Sequence, residues 1–138
     1  MIRKKDVTIQ EHKALALWAA DCAEHVLPYF EREYPKDKRP RKAIEACRTW
    51  ARTGIFRMDD VRNTSLASHA AAREAKNDAA RFAARSAGQA MAVAHAPGHA
   101  TAAAEYAAKA KGAAANANER ELLYRRLSKH LVAQLKRS

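Results

Sequence analysis

The stretch AVAHAPGHATAAAEY, residues 92–106, sets His95 and His99 four positions apart. Two imidazoles at that spacing hold a metal ion when one continuous helix carries both on the same face. Here Pro97 and Gly98 stand between them, so His95 closes one helix and His99 opens the next. No cysteine or acid lies close by in sequence until Glu105, although a distant ligand such as His69 could join them if the third helix packs close by. The expectation is therefore no metal and no cofactor: His95 sits beside the last carbonyls of its helix and His99 packs at the corner.

Trp18, Asp21 and His25 form a second constellation, with spacings of three and four that make them neighbours on one helix. A carboxylate beside an imidazole can orient it or hold it charged, as general acid–base chemistry requires. No serine or cysteine stands in a recognisable nucleophile position, although Cys22 is adjacent. Asp21 and His25 then read as a structural pair that satisfies a semi-buried histidine. A third group, Arg41, Arg48 and Arg52 with Glu45 among them, forms a basic stripe, and Lys36, Lys38 and Arg39 lie just before it. Nothing nearby resembles a glycine-rich phosphate loop, a zinc-finger spacing or an aromatic stacking platform. No catalytic residue is assigned.

These residues need helices to position them. The chain has 138 residues, enough for one domain with a single core of five or six helices. Alanine supplies 34 residues, 25 of them between Ala67 and Ala117, while Gly and Pro number four each. Alanine loses no side-chain entropy in a helix, and strands favour branched and aromatic residues, so the fold is all-α. In the first helix, about residues 11–27, the stripe Leu15, Trp18, Cys22, Val26 and Tyr29 points inward, and Pro28 kinks or stops it. The second starts near Pro40, turns Ala43, Ile44, Cys47, Trp50 and Ala51 inward and ends at Gly54. A third begins at Met58 with Asp59 and Asp60 in its first turn. A fourth is capped at Asn77 and Asp78 and runs to about His95. A fifth follows Gly98, and Gly112 or Asn116–Asn118 separates it from an amphipathic sixth over 118–138 bearing Leu123, Leu127, Leu131 and Leu135. The fourth and fifth helices bury mainly alanine, which lets their axes approach closely.

The formal charge is +11, spread along the chain. Such charge serves solubility or a polyanionic partner. Two cysteines make no disulfide framework, so free buried thiols are expected. MIRKK followed by ALALWAADC imitates a secretion signal, but Asp6, Glu11 and Asp21 interrupt it and no stretch is long and apolar enough for a membrane span. These features point to the cytoplasm.

Several segments together resemble a bacterial family, the immunity proteins of polymorphic-toxin systems similar to the fifth named immunity class. They are LWAADCAEHVLPYFE (17–31), RPRKAIEACRTWARTG (39–54), SHAAAREA and AVAHAPGHATAAAEYAAKA (92–110), covering about residues 12–112 in matching order. The resemblance implies an all-α, non-enzymatic protein that neutralises a toxin by binding it. It also marks Trp18, Asp21, His25, Arg39, Arg41, Trp50, His95 and His99 as hallmark positions. The alternative function is nonspecific nucleic-acid binding through phosphate contacts, and a distant third is a metal- or histidine-dependent enzyme.

Interfaces depend on buried aromatic and arginine side chains. Tyr34, Arg39, Arg41, Arg48 and Arg52 concentrate such groups, so a protein partner with an acidic patch is expected to dock on them. Reversing Arg41 and Arg48 to glutamate is then expected to abolish capture of the partner and leave the melting temperature nearly unchanged.

Overall fold

A computed structural model describes residues 2–126. After a 3-10 turn at Lys4–Asp6 come five α-helices: α1 (Ile9–Glu31), α2 (Arg39–Thr53), α3 (Met58–Glu74), α4 (Asp78–Ala92) and α5 (His99–Arg126). No strand occurs among the described residues.

The helix boundaries follow local chemistry. Thr8 caps α1, its hydroxyl accepting from the Glu11 N–H at 3.1 Å while the Glu11 carboxylate accepts from the Thr8 N–H at 2.9 Å. Pro28 does not stop α1, as its position suggested. It lies on the exposed side, where the backbone hydrogen bond it cannot make is left to water, and the helix continues to Glu31. Pro40 sits in the first turn of α2 and is buried. Gly54 ends that helix in the left-handed region at φ 71°, a conformation glycine adopts without strain. Asn77 caps α4 by accepting from the Ala80 N–H at 2.8 Å.

The expected break between a fifth and a sixth helix is absent. α5 runs unbroken through Gly112 and Asn116–Asn118 to Arg126. Gly112 faces open space, and the roughly 1 kcal/mol that a glycine costs in a helix is spread over a segment otherwise rich in alanine. Leu127, Leu131 and Leu135 lie outside the described residues.

α4 is the centre of the bundle and packs on α1, α2, α3 and α5. Its core face is small: Ala80, Ala83, Ala84, Ser86, Ala87, Gly88 and Ala90 are buried. Three buried serines exploit the close approach that small residues permit. Ser65 donates to the Gly88 carbonyl at 2.9 Å, Ser68 to the Ala84 carbonyl at 2.8 Å and Ser86 to the Ala103 carbonyl at 2.7 Å. Each hydroxyl thereby ties α4 to a neighbouring helix without leaving a buried polar atom unpaired.

On α1 the buried face is His12, Ala16, Ala19, Ala20, Ala23, Val26, Leu27 and Phe30. This corrects the expected stripe, of which only Val26 is fully inside. Leu15, Cys22 and Tyr29 are half-buried and Trp18 is 47% exposed. The large side chains misled the reading because alanines on the opposite flank let α1 approach α4 and α5 more closely. Expectations for α2 held: Ala43, Ile44, Cys47, Trp50 and Ala51 are buried. Both cysteines are free, Cys47 buried and Cys22 half-buried. Cys47 donates to the Ala16 carbonyl at 3.3 Å, and burial pushes its thiol up to about 12.

Candidate functional site

The arginines expected to face a partner are engaged with carboxylates of the same chain. Arg41 forms a two-pronged bond to Glu31, Nε at 2.8 Å and Nη2 at 2.6 Å. Arg48 clasps both oxygens of Glu24 at 3.0 Å and reaches Asp21 at 2.9 Å. Arg39 grips Asp37 at 2.7 Å and also contacts Glu74. These hydrogen bonds hold Glu24, Glu31 and Asp37 below the usual carboxylate range and raise all three guanidinium pKa values. Tyr34 packs its ring on Phe30, and its hydroxyl accepts from the Lys76 N–H at 2.8 Å. Of the four arginines only Arg52 has no carboxylate partner among the described residues. The others brace α1 against α2 and the α2 N-terminus against α3. Reversing Arg41 and Arg48 therefore bears on stability as well as on the surface.

Trp18, Asp21 and His25 do share one side of α1, but it faces solvent. Asp21 turns to Arg48 and His25 is exposed, so the expected semi-buried pair is not formed; the Asp21 carboxylate is engaged across to α2 instead. α4 ends at Ala92 and not near His95 as expected, so His95 lies in the turn between the helices while His99 opens α5, and no single helix carries both imidazoles. His95 is exposed, and the half-buried His99 donates from Nδ1 to the Gln89 side-chain oxygen at 2.7 Å. His69 accepts at Nδ1 from Arg85 at 3.0 Å and lies over Gly88, where an added Cβ would stand 2.7 Å from Nε2. Burial, with Arg85 and Arg73 adding to it, lowers His69 to about 4. Burial also lowers His99, with a further contribution from His95. Among the described residues no group of three or more metal-ligating side chains converges.

Sequence reasoning passed over His12. It is buried, and its Nε2–H donates to the Val93 carbonyl at 2.5 Å while its ring packs on Trp50 with centroids 4.6 Å apart. This pair locks the start of α1 to the ends of α2 and α4. It also floors a hollow of ≈ 360 Å³ whose rim includes Lys4, Ile9 and Phe56. A second hollow of ≈ 160 Å³ is lined by Met58, Val61, Arg62, Leu66 and His95, the first and last of these close in sequence to Phe56 and Ala94 of the first hollow. Of the eight large apolar side chains exposed among the described residues, Ile9 and Phe56 line the first hollow, Met58 and Leu66 the second, and Ile55 stands beside Phe56 in the α2–α3 connection. The sequence signal was GIFRM, an apolar pair in a four-residue connection where polar turn residues are usual.

No described helix is long and apolar enough to cross a membrane. Comparisons with curated proteins and with solved structures gave no match. The family model described as "Imm-5 like putative immunity protein" matches residues 5–133, extending at both ends beyond the segments that carry the resemblance, and the chain belongs to this family.

Proposed function

We propose that the protein neutralises a toxin by direct, non-enzymatic contact. The carrying observation is the gathering of Ile9, Ile55, Phe56, Met58 and Leu66 at one end of the bundle. Scattered apolar side chains are ordinary on a protein surface, whereas a group of them beside hollows is the composition of an anchoring face. Family membership supplies the kind of partner. Calorimetry with a candidate toxin domain taken from a gene flanking this one tests this reading. A saturable one-to-one complex, with toxin activity lost in step with occupancy and the toxin's covalent mass unchanged, is expected. Loss of toxin activity at catalytic amounts of this protein would contradict it.

Nucleic-acid binding is the second reading, and one groove gives it substance. Between the end of α1, the start of α4 and α5, Tyr29 and Phe82 line a cleft of ≈ 860 Å³ with Arg32, Lys76 and Lys109. However, Lys109 already lies 5.9 Å from the Phe82 ring centroid and 5.2 Å from that of Tyr106, and Arg32 lies 5.7 Å from that of Tyr29. The chain's own cations thus cover the ring faces that bases would need.

A further inference from the structure

We infer that the apolar end of the bundle receives an apolar projection of the toxin that is ringed by carboxylates. This rests on the immunity reading and deepens it by assigning the surface and the chemistry of what docks there.

The apolar part of the argument begins at Gly54. Its left-handed backbone ends α2 and turns the chain outward, leaving Ile55 68% and Phe56 36% exposed. Burying an aliphatic or aromatic side chain is favourable, so this connection withholds burial from its own fold that a partner can provide. The floor beneath is rigid, because Trp50 is 5% exposed and His12 is fixed by the Val93 carbonyl. A rigid floor with protruding apolar side chains at its rim loses little entropy when covered.

The charge around this face identifies the occupant. Lys4 stands 5.2 Å from the Phe56 ring centroid, Arg57 lies between Phe56 and Met58, and Arg62 lines the smaller hollow. Arg52 belongs to the last turn of α2, and Lys13 reaches to within 3.4 Å of where a Gly54 Cβ would lie. None of these five has a carboxylate partner among the described residues, in contrast to Arg39, Arg41 and Arg48. The opposing charges are Asp59 and Asp60 in the first turn of α3, Glu11 in the first turn of α1, and Asp6, which already pairs with Arg3; both helix N-termini favour the acids of their first turns, and the cations still outnumber the free carboxylates. A second copy of the chain is a poor occupant, because a two-fold contact would set these cations against their equivalents. An apolar knob with an acidic margin satisfies both parts of the face.

The test measures binding of that candidate toxin domain to the full chain and to exposed-site variants, with helical circular dichroism and melting temperature recorded for each. Wild type should bind. Phe56→Ser and Leu66→Asp should each weaken binding by roughly 30-fold or more while remaining folded. Arg57→Glu and Arg62→Glu should slow association and flatten its salt dependence. Wild-type affinity in both apolar variants, with affinity lost on Trp18→Ala instead, would overturn the surface and leave the immunity reading standing. Salt dependence unchanged in the two charge variants would overturn the acidic margin. A dimer in sedimentation equilibrium that Ile55→Asp dissociates would assign the face to a second copy and overturn the proposal. Failure of wild type to bind would sink the immunity reading itself, and the surface with it.

Discussion

Among single residues, the histidines divide by environment more than by sequence spacing. His69 is neutral in the fold because burial, Arg85 and Arg73 all oppose its protonation, which lowers it from 6.5 to about 4. The unfolded chain therefore binds more protons than the fold between those values. Stability is fully present above about 6.5 and is lost as pH falls toward 4. His99, also lowered, acts in the same direction. The loss through His69, discounted for its partial exposure, is on the order of 1 kcal/mol. Thermal melts from pH 7 to 4.5 should show it, and His69→Gln should flatten part of the slope; an unchanged slope would mean that His69 is not held neutral. None of this was legible from spacing. The break at Pro97 and Gly98 correctly separated His95 from His99, but His12 looked like an ordinary polar residue near a helix start. Its role depends on Trp50 and Val93, which are distant in sequence.

At the level of helices, composition revealed more than periodicity did. Alanine content and the caps at Asn77 and Gly54 located the helices well. The inward face of α1 was misjudged because Leu15, Trp18 and Tyr29 outweighed Ala16, Ala19, Ala20 and Ala23 in a hydrophobic pattern, although the alanines are the residues at 0% exposure. The continuity of α5 was missed because Gly112 and the asparagines weaken a helix without breaking it. The α1–α2 arginines carry the main correction at this scale. Exposed ion pairs usually contribute 0–1 kcal/mol each, but Arg41 and Arg48 are two-pronged and their reversal turns attraction into repulsion. The double variant Arg41→Glu, Arg48→Glu should therefore lose about 1–2 kcal/mol, less at high salt, in thermal melts. A melting temperature equal to wild type at low salt would show that these bridges do not brace the hairpin.

For the whole molecule, a net charge of +11 could not show which cations are spoken for. The fold pairs the guanidiniums of Arg39, Arg41 and Arg48 with carboxylates; those of Arg52, Arg57 and Arg62, like Arg32 and Arg73 elsewhere, have no carboxylate partner among the described residues, and the first three of these stand near exposed apolar groups. The fold class and the family were legible because both rest on long stretches of pattern. The face was not, since its parts come from the start of α1, the end of α2, the α2–α3 connection and α3. Toxin neutralisation through that face is the central claim, and amide hydrogen exchange on the chain alone and in complex with the candidate toxin domain tests it most directly. Complex formation should slow exchange at residues 54–58 and in the first turns of α1 and α3, with little change along the middle of α1 and α2. Protection centred instead on Trp18–His25 and Arg41–Arg48, with residues 54–66 exchanging as in the free protein, would contradict it.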